Sequence, residues 1–212
     1  MRYSLIIWDF NGTILDDLDL SFNSINTVLK KRGLPTIQDK ESYRKKFGFP
    51  IENYYARLGM DFSKEPYNVP ADEWVKLYSD GKNNLGLTEG VEDVINHIAS
   101  NNIPQWILSA SEMTLLTEQL TKLNIIDKFS CILGCDNVYG RGKVDLAKDF
   151  ARKYNTDLSS SVLIGDTDHD YQTASALGCY CILFDQGHMD KQRLCATGAT
   201  IIHSMSQLFD IL

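Results

Sequence analysis

Ser161-Val162-Leu163-Ile164-Gly165-Asp166-Thr167-Asp168-His169-Asp170 runs from a short apolar stretch straight into a cluster of carboxylates. The apolar part reads as a buried strand. Asp168–Leu177 follows with helical periodicity, Gly178 is placed to stop that helix, and Tyr180–Phe184 opens the next apolar run. A strand, a helix and a strand in such quick succession make a βαβ unit, which commits the two strands to a parallel pair. The alternation extends outward in both directions. Pro104–Ser109, Ser130–Leu133 and Thr200–Ile202 read as further strands, and Tyr3–Trp8 as one more ahead of Asp9. Val91–Ser100, Met113–Lys122, Asp145–Tyr154 and Met189–Thr197 read as helices, with Gly198 as a second stop. The expected fold class is α/β: a Rossmann-like, doubly wound parallel sheet covered by helices on both faces.

Between Asp16 and about Leu87 the texture changes. No strand-like run appears, and helical pieces separate at Gly33-Leu34-Pro35, Phe49-Pro50, Glu65-Pro66 and Val69-Pro70. Four of the five prolines fall in this stretch, which therefore reads as an inserted α-helical subdomain. The predicted division is 1–15 and 88–212 for the core and 16–87 for the insertion. Asp16-Asp17 and Asn83-Asn84 are the expected hinges, since they flank it.

Composition narrows the function classes. A chain of 212 residues with 43% hydrophobic and 23% charged side chains is long enough to bury a substantial core without disulfide staples. Its 28 acidic against 21 basic residues give a net charge of −7, which disfavours a nucleic-acid or anionic-membrane partner held by bulk attraction. The five cysteines show neither CxxC nor Cys/His metal spacing, so buried reduced thiols are expected. No apolar stretch reaches the ~18 residues of a membrane span, and the first residues do not read as a signal peptide. Cytoplasmic placement is the expectation.

In an open parallel sheet, ligands bind at the carboxyl ends of the strands. The residues that fall there are Asp9-Phe10-Asn11-Gly12-Thr13, then Ser109-Ala110-Ser111, then Gly165 to Asp170, with Gly140-Arg141-Gly142-Lys143 just before a helix. Two acidic clusters, a hydroxyl and an ammonium suit a divalent cation and a phosphoryl group. Mg²⁺ takes hard oxygen ligands and keeps several waters, so a few carboxylates and a carbonyl suffice. Asp9 is then placed to attack phosphorus, with Lys143 offsetting carboxylate repulsion and Ser109 donating to phosphoryl oxygens. Helix capping is the alternative reading for Ser109 or Ser111 and the preferred one for Asp168, while His169 reads as a surface or supporting residue.

This constellation resembles the haloacid dehalogenase-like superfamily, in particular its phosphoglycolate phosphatase-like branch. Asp9-Phe10-Asn11-Gly12-Thr13 is similar to the first motif, Ile107-Leu108-Ser109 to the second, Lys143 to the third and Gly165 to Asp170 to the acidic fourth. Their order and spacing suit a member with a helical cap inserted after the first motif. The resemblance implies Asp9 as nucleophile and metal ligand, the backbone carbonyl of Asn11 and Asp166 as further ligands, and Asp170 acting through water or by holding Lys143. Gly12, Thr13, Ser109, Ala110 and Lys143 would bind the phosphoryl group. The implied cofactor is Mg²⁺, and the implied partner is a small phosphorylated metabolite.

Asn11 departs from the family pattern. Phosphatases of this kind carry a second Asp there, which protonates the leaving oxygen and then activates water. An amide does neither near neutral pH, a handicap of ~10²–10⁴ in rate or ~3–5 kcal/mol of barrier. Three readings follow: a phosphatase with a good leaving group or a shuttle borrowed from the cap or from water held by Asp16, Asp17 or His169; a slow or inactive module that binds a phosphometabolite or a protein; or phosphonate cleavage through a cap lysine, with Lys30, Lys31, Lys45 and Lys46 as candidates. Dehalogenation ranks last, since the Tyr expected at that position is absent. On the missing-acid argument, Asn11→Asp should raise turnover. Tyr43 to Pro50 is the expected cap loop, with Arg44 and Lys46 toward an anionic substrate.

Overall fold

The computed structural model describes residues 2–135 and 143–212, the side chain of Tyr154 excepted. Six parallel strands form one sheet in the order β5-β4-β1-β6-β7-β8: β1 is Leu5–Trp8, β4 Gln105–Glu112, β5 Cys131–Cys135, β6 Ser161–Gly165, β7 Tyr180–Phe184 and β8 Thr200–Ile202. The period-two geometry of β1 explains its unbroken apolar sequence. Ile6 and Trp8 face one layer, packing with Val91, Val94, Ile95 and Ile98 of α5 (Val91–Ser100) and Leu116 and Leu120 of α6 (Met113–Lys122). Leu5 and Ile7 face the other, packing with Ala147 of α7 (Lys143–Tyr154) and Ala174 of α8 (Asp168–Leu177). A strand covered on both sides has no polar face to show. Within this core, the buried Trp8 indole donates to Gln105 Oε1 at 3.0 Å, and the Gln105 amide donates to the Ile95 carbonyl at 3.0 Å. Helices α9 (Lys191–Ala196) and α10 (Leu208–Ile211) complete the core.

The α-helical insertion comprises α1 (Leu18–Lys31), α2 (Lys40–Lys46), α3 (Ile51–Arg57) and α4 (Asn68–Gly81). It has an apolar cluster of its own, with Ile25, Val28 and Leu29 of α1 against Tyr43, Tyr54, Tyr55 and Met60. Arg32 ties its far end together by donating to Glu65 and Glu73. Contrary to the expectation of no strand near this stretch, β2 (Leu15–Asp16) and β3 (Gly86–Leu87) pair antiparallel where the insertion leaves and rejoins the core. Two residues are too few to carry a periodicity, which is why the pattern is silent there.

Two boundaries also move. β4 runs through Ser109 and Ser111 as far as Glu112, so neither serine caps α6; the Glu112 carboxylate accepts from the N–H groups of Thr114 and Leu115 instead. α7 covers Lys143 as well as the expected start at Asp145, so the ammonium is carried by a helix. Of the expected Gly140-Arg141-Gly142-Lys143 turn, only Lys143 falls within the described residues.

Candidate active site

Strand register sets the site. Trp8 pairs with Ile107 on one side and Ile164 on the other, so Asp9 emerges level with Leu108 within β4 and with Gly165, the last residue of β6. Ser109 and Asp166 each lie two residues beyond those partners. The chain order reverses about β1, and such a switch point opens a crevice at the carboxyl ends of the strands.

Asp9, Asp166 and Asp170 are all buried, and one carboxylate oxygen from each lies within 4.8 Å of the others. Lys143, 4% exposed, donates to Asp9 Oδ1 and, at 2.8 Å, to Asp170 Oδ1. Asp170 is heavily engaged: its Oδ2 accepts from the N–H groups of Asp166 and Thr167 and from the Thr167 hydroxyl at 2.7 Å, closing a capping box on α8. Asp168 sits in the first turn of that helix, where its carboxylate also meets Arg193 at 3.0 Å. Asp166 is held differently, accepting from the His188 N–H at 2.6 Å and the Thr13 hydroxyl at 3.3 Å. Gly12 and Gly187 form a cradle around it, since a Cβ at either position would overlap Asp166 Oδ2.

The electrostatics follow from crowding in a dry pocket. Burial raises the Asp9 carboxyl well above the usual carboxylate range, against the pull of Lys143, with Asp170 and Asp166 adding repulsion. Burial likewise pushes Asp166 up to about 6, despite His188 and Lys143. Asp170 stays low, because Lys143 and Thr167 outweigh its burial. Lys143 loses by burial yet sits above its ordinary value, held there by Asp170 and Asp9. Three carboxylates with one lysine leave surplus negative charge among hard oxygens. That donor set fits a hard divalent cation of the Mg²⁺ type.

Position 11 is fully occupied. Asn11 Nδ2 donates to Asp17 Oδ2 at 2.9 Å and to the Tyr78 hydroxyl at 2.8 Å, while its Oδ1 accepts from Ser111 Oγ at 2.7 Å. Tyr78, from α4 of the insertion, donates in turn to Asp17 Oδ2 at 2.8 Å. Asp17 Oδ1 accepts from the Gly12 N–H and from His188 Nε2, both at 2.9 Å, and His188 Nδ1 meets the Tyr43 hydroxyl of α2 at 3.0 Å. Burial would lower the His188 imidazole, but Asp17, Asp166 and Asp9 outweigh it and raise it to about 9. Asp17 lies below its usual value in spite of burial, through His188, Asn11 and Tyr78.

Among the residues expected at the site, Asp9, Asn11, Gly12, Thr13, Lys143, Asp166 and Asp170 come together. Ser109 is buried on the β4 side with its Oγ accepting from the Ser111 N–H, whereas Ala110 is exposed. Arg44 spends its guanidinium on the carbonyls of Gly187 (2.8 Å) and Gln186 (2.6 Å), and Lys46 is exposed at the end of α2. His169 is half-buried against Phe49, their ring centroids 4.7 Å apart. Sequence reasoning did not bring His188 or Tyr78 to the site, and it read Asp17 as a hinge or as a holder of water for a borrowed proton shuttle. Asp17 stands at the N-cap of α1 but makes no side-chain cap, its carboxylate being engaged across the site instead.

A parallel switch-point crevice rich in acidic oxygens, with inserted helices over it, is an α/β arrangement in which most of the charged groups come from the core. The family model for haloacid dehalogenase-like hydrolases matches residues 6–184, and the chain belongs to that family. It is 22% identical to a phosphoglycolate phosphatase of Chromobacterium violaceum over 98% of this chain and 95% of that protein. It is also 28% identical to one of Neisseria meningitidis, over 54% of this chain and 51% of that protein. A haloacid dehalogenase-like family protein of Streptococcus pneumoniae superposes with a TM-score of 0.86 at 19% identity, over 99% and 98% of the two chains. Among the described residues no helix is long and apolar enough to cross a membrane.

Proposed function

We propose that this chain is a Mg²⁺-dependent phosphatase of a small phosphorylated metabolite, working through an aspartyl-phosphate on Asp9, with residues 16–87 as its cap. The observation that carries the reading is the buried Asp9, Asp166 and Asp170 cluster bridged by Lys143 at the strand ends. Asp9, Asp166 and the Asn11 backbone carbonyl would hold the cation, with Asp170 serving mainly to fix Lys143. When bound, the cation neutralises phosphoryl charge and fixes the in-line approach. A carboxylate oxygen of Asp9 attacks phosphorus and the bond to the leaving oxygen breaks. Lys143, Thr13 and Ser109, with the Ala110 N–H of β4, would then face the phosphoryl oxygens. Water next attacks the phosphorus of the acyl phosphate and regenerates Asp9.

Asn11 supplies no proton to the first step and takes none in the second. The substrate must therefore bring a good leaving group, and the acyl phosphate is slow to hydrolyse. A second reading, a module that binds a phosphometabolite without turnover, is favoured by the complete engagement of the Asn11 amide. The phosphonate route is not carried forward, because Lys30, Lys31, Lys45 and Lys46 are all exposed and none sits in a desolvated pocket.

A panel of phosphate esters with Mg²⁺ separates the two readings. Phosphate release from aryl and acyl phosphates, abolished in Asp9→Asn, is expected. Ligands that raise the melting temperature with Mg²⁺ while no ester is hydrolysed would establish the binding module instead.

A further inference from the structure

We propose that Asp17 is a positioning residue that fixes position 11 as an amide, so that Asn11 and Asp17 form a matched pair in which amide and carboxylate can only be exchanged together. The inference rests on the phosphatase reading for its effect on turnover, and on hydrogen-bond geometry alone for the pairing.

The triangle of Asn11, Asp17 and Tyr78 leaves no spare proton. Both N–H bonds of Asn11 are used, one on Asp17 Oδ2 and one on the Tyr78 oxygen, and the Tyr78 hydroxyl spends its own proton on the same Asp17 oxygen. Ser21 Oγ lies 3.4 Å from that oxygen as a further donor. The other Asp17 oxygen is taken by Gly12 and His188. Asp17 is 2% exposed, so water does not replace a lost partner there.

A carboxylate at position 11 would put oxygen against oxygen at the 2.9 Å now spanned by a hydrogen bond, with like charges in a buried site. A carboxylic acid at position 11 would satisfy Asp17 only by donating its proton to it, and that is the proton a catalytic acid has to deliver. Asn11→Asp alone therefore does not restore the missing group.

Exchanging both residues rebuilds the triangle atom for atom. With Asp17→Asn added, the new carbonyl keeps the hydrogen bonds from Gly12 and His188 while His188 gives up its ionic partner there, and the new amide donates to position 11, to the Tyr78 oxygen or to Ser21 Oγ. The Tyr78 hydroxyl turns its proton to position 11, and Ser111 still donates to the remaining oxygen there. The carboxylate has moved from 17 to 11, and each donor still meets an acceptor.

The test is a double-mutant cycle on the full chain, read in two ways. Melting temperature is measured with EDTA present, and phosphate release from an aryl phosphate with Mg²⁺. Asn11→Asp is expected to lower the melting temperature by about 5–10 °C, or to prevent folding, with no gain in turnover. Asn11→Asp with Asp17→Asn is expected to recover at least half of that loss and to exceed wild-type turnover by about 10²-fold. Recovery of folding by the double variant supports the pairing in the same way. Losses that add with no recovery, or a turnover gain in Asn11→Asp alone, overturn it. If no protein in the cycle releases phosphate while the thermal coupling is present, the pairing stands and the phosphatase reading is what fails.

Discussion

Gly12 has φ +74°, in the left-handed region, and its α-hydrogen points at Asp166 Oδ2 and His188 Cδ2. Gly12→Ala would strain the backbone by ~1–2 kcal/mol and push a methyl group into the carboxylate that the cradle exists to hold. Urea denaturation should show at least that loss, and titration with Mg²⁺ should show weaker binding. An unchanged affinity would mean that Asp166 does not face the cation. At this scale Asp9, Asp166 and Lys143 were legible, because each stands at the end or start of an element that its flanking pattern defines. Asp17, Tyr78 and His188 were not legible as a group. They come from the start of α1, from α4 and from the turn after β7, and no local spacing joins them. Arg44 shows what charge alone leaves out: it was expected to face an anionic substrate, and its Nε and one Nη donate to backbone carbonyls of the core.

Helix α8 shows how one element serves two ends. Its capping box is closed by Asp170, the same carboxylate that holds Lys143 beside Asp9, so the start of the helix and the arrangement of the site are one hydrogen-bonded unit. The insertion is fastened to the core through elements as well. Arg44 of α2 reaches Gly187 and Gln186, Arg193 of α9 donates to the Phe47 carbonyl, and Phe47 packs on the His188 ring with centroids 5.2 Å apart. The core strands and most helices could be read from periodicity, since buried runs and stop residues are local properties. The β2–β3 pair and the overrun of β4 could not, because both depend on partners distant in the chain.

Across the whole molecule, the ion pair of His188 and Asp17 lies where the insertion meets the core, with both partners buried. His188 rises from an unfolded value near 6.5 to about 9, so the folded state holds an extra proton between these values. The stability it contributes is complete below pH ~6.5 and is lost as the pH rises through about 9. Asp17 behaves inversely: its contribution is present above ~3.8 and falls away as the pH drops through its lowered folded value. Urea titrations of EDTA-treated protein should show stability declining from pH 6.5 to 9 more steeply than in His188→Gln. Equal slopes would mean that the ring is neutral in the folded state.

The covalent bond proposed on Asp9 is tested most directly by trapping it. Without a carboxylate at position 11 the proposed acyl phosphate would hydrolyse slowly, so it should accumulate when wild-type protein and Mg²⁺ meet an aryl phosphate. Acid quenching followed by borohydride reduction converts an acyl-phosphate side chain to homoserine, which peptide mass spectrometry locates. Homoserine is expected at position 9 and nowhere else. Phosphate release with no reduced residue at position 9, or with the label on another carboxylate, would contradict it.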